Sequence, residues 1–292
     1  MTRGSSWAMT TTQGSEVGVG AAHPHTMRLQ RFLARAGVAS RRGSEQLMRA
    51  GRVRVNDRVT SEPGSKVDVD HDVVTVDGRP CRLSDTHRHL MLYKPAGYVT
   101  TMSDPQGRPC VASLVPVDSS PGLYPVGRLD ADATGLLLFT TNGDLGNRLL
   151  HPSGHVWKHY LALIRGTLST AELRRIETGV RMGDDVARPA KVELLAQGDE
   201  RTRAVSPRGV PQGMSVIGLT IHEGKKHQVK RMLEAVGHEV VHLHRDEFGP
   251  LRLTGLTPGQ VRELTDEERT AVEALVGDMT TKAGRKGTSH GR

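Results

Sequence analysis

Three polar pieces of this 292-residue chain carry residue types that could do chemistry. The first is Asp130, displayed in Gly127-Arg128-Leu129-Asp130 ahead of an apolar run, Leu136-Leu137-Leu138-Phe139, and a turn pair, Asn142-Gly143. Turn, buried strand, turn and short helix is what this pattern predicts. An acid at the mouth of a buried strand is a candidate for chemistry; taken alone, it reads first as a surface turn acid. The second piece is Tyr160, following Trp157-Lys158-His159 on a strand, either a site aromatic or a core ring with its hydroxyl at the edge. The third is Glu223-Gly224-Lys225-Lys226-His227-Gln228-Val229-Lys230-Arg231. A helix expected from about Lys226 to Val236 puts four basic side chains in its first two turns, where they oppose the macrodipole. That local cost hints at an anion, a phosphate or a buried carboxylate, while ordinary solvation stands as at least as good an explanation of the cluster alone. Lys226 and Lys230 stand one turn apart on the face of Leu233, while Arg231 points about 100° away. Lys230 is therefore placed to face an acid while Arg231 and Lys225 reach a backbone.

Other chemistries lack their signatures. Neither GxGxxG nor GxxxxGK[ST] occurs, so hydride transfer and phosphate cleavage are not indicated. His238, His242 and His244 invite a metal, but no carboxylate or Cys stands at ligand spacing, so none is expected. Cys81 and Cys110 are the only cysteines, which excludes a disulfide scaffold and fits a reducing cytoplasm. No apolar stretch suits a signal peptide or a bilayer span, so a cytoplasmic protein without a membrane partner is expected.

Lys+Arg number 40 against 32 Asp+Glu, which suggests a polyanionic partner if the charge is concentrated. It is. Between residues 27 and 58 stand nine arginines, Arg28, Arg31, Arg35, Arg41, Arg42, Arg49, Arg52, Arg54 and Arg58, against only Glu45 and Asp57. A solvated face normally mixes signs and this one barely does. Arginine also forks onto phosphate oxygens, so nucleic-acid binding is preferred to solvation.

The elements around these pieces follow from periodicity. Leu29, Phe32, Leu33 and Ala36 share one helical face closed by Gly37. Ser40 or Ser44 caps a second helix through Ala50, and short strands follow, one ending in the hairpin pair Asp77-Gly78. From His89 on, strands are expected at Leu90–Tyr93, Trp157–Ile164, Ser215–Ile221 and Val240–Arg245, with a helix at Ser169–Thr178 opened by a Ser169/Glu172 capping box. With aromatics at 3%, the core must be aliphatic. Strands outnumber helices without alternating with them, which predicts an α+β fold. The expected organisation is a disordered leader (1–26), a basic first domain (27–86), a second domain (87–276) that carries the three polar pieces, and a disordered basic tail (277–292).

Two resemblances sharpen this. The stretch RLQRFLARAGVASRRGSEQLMRAGRVRVN resembles the small S-four-like RNA-binding module. The ordered series GRLDADATGLLLFTTNGDLGNRLLHP, KHYLALIRG and LTIHEGKKHQVKRMLEAVGHEVVHLHR, preceded by KPAGYVTT and SDPQGRP, resembles the RsuA/RluB-type pseudouridine synthases over residues 27–272. The resemblance implies an S-four-like domain followed by a mixed, mainly antiparallel-sheet catalytic domain. It implies site-specific isomerisation of uridine to pseudouridine in ribosomal RNA, large-subunit rather than small-subunit, without cofactor or metal. The partner is ribosomal RNA or a ribosome-assembly intermediate, and a monomer is expected.

By the same resemblance Asp130 is catalytic, either bonding covalently or removing a ribose proton, and Tyr160 lies against the target base. Lys230 pairs with the acid where relatives usually carry Arg, keeping the charge but losing the fork. A cation within about 4–6 Å favours the carboxylate form of an acid. Flipping a uridine out of folded RNA costs a few kcal/mol, and stacking on an aromatic offsets roughly 1–3 kcal/mol of it. Leu219 or Ile221 is expected to line the pocket. RNA contacts are expected from Lys94, Arg128, Lys225, Lys226 and Arg231, and in the module from Arg28, Arg31, Arg35, Arg41, Arg42, Arg52 and Arg54. One departure stands out: Ala133 and Thr134 displace by one position a hydroxyl that relatives carry after the aspartate, which leaves the bracing of the Asp130 loop open. The main rival is a non-catalytic RNA-binding assembly factor, against which Asp130, Tyr160 and Lys230 together speak. An RNA methyltransferase would need a Gly-rich adenosyl loop, which the sequence lacks.

Overall fold

A computed structural model describes residues 25–84 and 86–285, with only the helical backbone for 276–285. Residues 1–24 of the expected leader and 286–292 of the expected tail lie outside the described residues. The N-terminal part consists of β1 (Thr26–Arg28), α1 (Leu29–Arg35), α2 (Arg41–Arg49), β2 (Val53–Val55), β3 (Arg58–Val59), β4 (Lys66–Asp68), β5 (Val74–Val76) and β6 (Arg79–Cys81). Ser40, not Ser44, caps α2, accepting from the Gly43 amide; Ser44 is buried in the helix. Asp77 and Gly78 both take positive φ, 51° and 77°, as a tight two-residue hairpin between β5 and β6 requires. Leu29, Phe32 and Leu33 of α1 pack with Met48, Val53, Val67 and Val74 into a separate small core, the face that periodicity marked out.

The second domain follows with β7 (His89–Lys94), β8 (Tyr124–Pro125), β9 (Thr134–Thr140), α3 (Gly143–Leu150), β10 (Lys158–Arg165), α4 (Thr170–Thr178), β11 (Arg181–Met182), β12 (Asp185–Val186), β13 (Lys191–Leu194), β14 (Met214–Ile221), α5 (Gln228–Glu234), β15 (Val240–Phe248), β16 (Leu251–Arg252), β17 (Val261–Glu263) and α6 (Asp266–Arg285). Nine of these strands form one sheet along β13-β14-β10-β15-β9-β7-β17, with β16 beside β15 and β8 beside β9. Its pairings are antiparallel except β15 with β9. The sheet is thus mixed and mainly antiparallel, as expected.

Strand β9 is buried at all seven positions because both faces of the sheet are covered. Leu137 and Phe139 point into the core shared with Ile176 of α4 and Met232 of α5, while Leu136 and Leu138 point into the core under α3 and α6. The continuous apolar run is explained by this sandwiching. The Ser169/Glu172 capping box closes α4 in both directions, and Asn142 caps α3 through the Asp144 and Leu145 amides.

Two expected boundaries move. Helix α5 starts at Gln228, because His227 sits in the left-handed region at φ 51° and breaks the helical path before it. Lys225 and Lys226 are therefore in the loop, and only Lys230 and Arg231 of the cluster are helical. Helix α6 runs on to Arg285, past the expected end of order at residue 276.

The α1 helix faces the second domain. A Cβ on Gly37 would lie 2.2 Å from Pro121 Cβ, and both Arg31 and Arg35 reach Asp144 at the start of α3. Those two arginines, expected on RNA, join the domains instead. Arg52 forks onto Asp77, with Nε and Nη2 at 2.9 and 2.5 Å, and Arg54 donates to the Asp57 carbonyl at 2.8 Å, so both serve the small sheet's own turns.

Candidate active site

Asp130 and Tyr160 meet on one cleft of about 1010 Å³, whose wall also includes Arg128, Lys158, Ile221, Lys225, Lys226, Leu243, Arg245 and Phe248. Asp130 comes from the turn between β8 and β9, Tyr160 from β10, and the basic loop from the connection of β14 to α5. Leu219 pairs with Tyr160 across β14 but is fully buried below the cleft; Ile221, two residues on, is the wall residue. Leu243 of β15 joins it.

The acid has a cation and an imidazole beside it. Lys230 Nζ lies 3.6 Å from Asp130 Oδ2, and His227 Nε2 lies 3.5 Å from Oδ1. The Lys230 ammonium nevertheless makes its short contacts to Asp132, 2.7 Å to each oxygen. Lys230 is thus shared between two carboxylates, one facing the cleft and one, Asp132, largely exposed. Burial pushes the Asp132 carboxyl up, but hydrogen bonds and charge from Lys230 outweigh this and hold it below the usual range.

The Asp130 loop is braced from below, and not by the displaced hydroxyl. Thr134 Oγ1 is turned to the histidines behind it, 3.0 Å from His242 Nε2 and 2.9 Å from His244 Nδ1. Thr100 does the bracing, donating to the Leu129 carbonyl at 2.6 Å and accepting the Leu129 amide at 3.2 Å. The Gly97 amide donates to Ala131 O at 2.7 Å. Lys94 completes the support: its ammonium donates to the carbonyls of Pro95, Ala131 and Ala133 at 3.0, 3.2 and 2.8 Å. Expected on RNA, Lys94 is instead wholly buried under the loop. Ala133, a departure in sequence, is a buried core residue.

Burial lowers the Lys94 pKa to about 8, against the opposing pull of Asp132 and Asp130. An unfolded chain then holds a proton that the folded chain has lost between pH 8 and the ordinary lysine value near 10.4. Stability rises with pH wherever the unfolded state binds more protons. Wild type is therefore expected to gain on Lys94→Met by an amount on the order of 3 kcal/mol between pH 7.5 and pH 10.5. Urea unfolding of both proteins across that range reads the difference; a wild-type stability that fails to rise relative to the variant with rising pH would overturn this account of Lys94.

Arg231 and Lys225 are also engaged within the protein. Arg231 donates to Asp185 at 2.8 Å and to Met182 O at 2.5 Å, and Lys225 donates to Val186 O at 2.7 Å. Both tie the hairpin of β11 and β12 to the cleft rim, so their expected reach to RNA is taken up by that hairpin. Arg128 and Lys226 are exposed on the cleft wall.

Arg245 carries no signal in the sequence, where it only ends an alternating strand. Its side chain is 2% exposed, with Nε and Nη2 donating to Leu136 O at 2.9 and 2.8 Å. Its guanidinium carbon stands 6.0 Å from the Tyr160 ring centre and 5.2 Å from that of Phe248. Lys158 approaches the same Phe248 ring at 5.8 Å, and burial, with Arg245 adding to it, lowers its pKa to about 8.

A basic two-helix module ahead of a mixed sheet, with an acid, an aromatic and cations on one cleft, defines a two-part RNA-modifying enzyme. The comparisons give the family. Residues 88–235 match the model described as RNA pseudouridylate synthase, and residues 27–74 match the S4 domain. The ribosomal large subunit pseudouridine synthase B of Bacillus subtilis (strain 168) is 40% identical over 248 residues, covering 85% of this chain and 96% of that one. An uncharacterised RNA pseudouridine synthase of Mycobacterium leprae (strain TN) is 41% identical over 244 residues, 83% of this chain and 90% of its own. A crystal structure of a pseudouridylate synthase superimposes with a TM-score of 0.58 at 27% identity, covering 85% of this chain and 99% of that one. The chain belongs to the RNA pseudouridine synthase family, of the RsuA/RluB type with an S4 domain in front, and is an isomerase. No helix of the described residues is long and apolar enough to cross a membrane.

Proposed function

We propose that this chain converts a specific uridine of large-subunit ribosomal RNA to pseudouridine in the cytoplasm, with Asp130 as the reacting acid. The observation that carries this is the convergence of Asp130 and Tyr160 on one cleft with Lys230 3.6 Å from the acid. Pseudouridine differs from uridine only in which base atom holds ribose C1′: the C1′–N1 bond breaks and a C1′–C5 bond forms. The net change is an isomerisation, so no second substrate is consumed. Tyr160 stacks on the flipped base, Asp130 meets C1′ or its neighbouring proton, and Lys230 holds a positive charge opposite the acid. The large-subunit assignment follows the name of the Bacillus subtilis relative, a ribosomal large subunit pseudouridine synthase. Mapping pseudouridines in ribosomal RNA from cells lacking the gene tests it: one large-subunit position is expected to revert to uridine. An unchanged large-subunit map would overturn the large-subunit assignment.

The RNA-facing charge is narrower than the arginine count. Arg28, Arg41 and Arg42 are exposed and make no ion pair among the described residues, unlike Arg31, Arg35 and Arg52. Each arginine taken away from a phosphate lowers the salt slope of binding by about 0.7–0.9. Replacing Arg41 and Arg42 together by Gln is expected to weaken RNA binding and flatten that slope by about 1.5, whereas Arg52→Gln leaves the slope unchanged. Filter binding across a range of KCl concentrations separates the two; equal slopes in all three proteins would remove this face as the RNA-binding surface.

A further inference from the structure

The base must leave C1′ through N1 before it can return through C5, and the electron pair of the broken bond leaves with it. The charge then spreads over N1, O2 and O4 of the uracil ring. A transition state of this kind is stabilised by a donor or cation already fixed where the charge develops. The cleft contains such a group, and neither the acid nor its lysine partner is in that position.

Arg245 ends an alternation in which Leu243 and Arg245 share the cleft face of β15, and in the sheet register it stands beside Tyr160. Its neighbour Asp246 turns to the other face and bonds His159 at 2.6 Å. No carboxylate among the described residues lies within ion-pair distance of Arg245, and a buried guanidinium without one is costly to keep. Two of its nitrogens are held by the single carbonyl of Leu136. The third, Nη1, has no acceptor among the described residues, yet it is not among their sealed unsatisfied atoms, which are Gln30 Oε1 and His222 Nδ1. It therefore opens on the cleft. Tyr160, whose ring centre lies 6.0 Å from the guanidinium carbon, fixes the plane in which a stacked base lies. Lys158, on the face of β10 that carries Tyr160, adds a second buried cation on the same Phe248 ring.

We propose that Arg245 is a further catalytic residue, whose Nη1 hydrogen-bonds a uracil carbonyl oxygen and takes up the negative charge of the departing base. This rests on the uridine isomerisation proposed above. The C1′–N1 pair goes to the uracil, and Asp130 answers the positive charge left on the sugar. The base turns against Arg245 without diffusing away, C5 bonds C1′, the C5 proton is released, and N1 takes one up. The product has the atoms and charge of the substrate.

The test compares large-subunit rRNA transcribed with uridine and with 5-fluorouridine in single-turnover reactions of the full-length protein. Fluorine withdraws electron density and stabilises the departing anion, so cleavage of the fluorinated base depends less on Arg245. Arg245→Met is expected to slow uridine cleavage by about 10²–10³-fold, but 5-fluorouridine cleavage by no more than about tenfold, with RNA affinity within about threefold of wild type. Arg245→Lys is expected to recover part of the uridine rate. The ratio of the two rates does not depend on the fraction of variant that folds. Equal slowing on both RNAs, or a loss found wholly in affinity, overturns the assignment of Arg245 alone. A wild-type protein that cleaves neither RNA overturns the isomerisation of large-subunit rRNA uridine proposed for the cleft.

Discussion

Asp130→Asn is expected to abolish pseudouridine formation, by about 10⁴-fold or more, while leaving RNA binding intact. Asparagine keeps the shape of the side chain but can neither bond covalently to C1′ as a carboxylate does nor accept a ribose proton. The variant is expected to fold, because the loop is held through its backbone. Thr100 grips both polar atoms of Leu129, Lys94 holds the carbonyls of Ala131 and Ala133, and the Ala133 amide donates to Asp130 O. None of these uses the Asp130 carboxylate. Lys230 keeps its two 2.7 Å contacts to Asp132. Removing a negative charge beside His227 and Lys230 makes the cleft more positive, so affinity for a polyanion is expected to hold or rise. Asp132→Asn is the matched control: Asp132 is largely exposed and is not among the residues that line the cleft, so a loss within about tenfold is expected. Pseudouridine counted in rRNA after incubation with each protein decides it. An Asp130→Asn protein within tenfold of wild type would end its candidacy as the reacting acid.

What could be read from sequence was what local rules determine. The run Leu136–Phe139 announced a strand buried on both faces, Ser169 with Glu172 announced the start of α4, and Asp77-Gly78 announced a hairpin. The coming together of Asp130, Tyr160 and Lys230 was legible because their motifs are long and in order, although 100 residues separate the acid from the lysine. The rest depends on partners remote in sequence. Lys94 at a strand end looks like a surface cation until the carbonyls of Ala131 and Ala133, nearly forty residues on, are seen to close over it. Arg31 and Arg35 lie on the charged face that the periodicity predicts, but Asp144 on α3 meets that face. Nothing in the residue type of His227 warns of a left-handed backbone, so periodicity starts α5 two residues early. Arg245 follows the alternation of a strand rim, and only the sheet order, which puts β15 between β10 and β9, buries it.

That same sheet order makes Gly135→Ala the substitution expected to damage the fold most. Gly135 stands on β9 where the one parallel junction of the sheet forms, paired with Arg245 on one side and Lys94 on the other. Its φ is +114°, and a Cβ built there would lie 2.2 Å from Arg245 O and 2.6 Å from Arg245 N. The two costs can be separated. Gly183, at φ +68° with nothing within 4 Å of its Cβ position, suffers only the conformational one. Gly183→Ala is therefore expected to lose about 1–2 kcal/mol. At Gly135 the colliding atoms are backbone, so no rotamer change relieves the overlap, and β15 must move away from β9. Moving it parts Arg245 from Leu136 O and Thr134 from His242 and His244, so a total loss of about 4 kcal/mol or more is expected. Against a usual domain stability of about 5–15 kcal/mol, that leaves the protein marginal or unfolded. Urea unfolding of the two alanine variants reads the gap directly. Equal midpoints would mean that the junction yields without strain, and that Arg245 and Lys94 are not held in place by the close approach of β15 to Gly135. A gap of a few kcal/mol, with the surviving folded fraction slow on RNA, would tie the glycine of the strand to both ends of the site: the carbonyl cage under Asp130 and the guanidinium beside Tyr160.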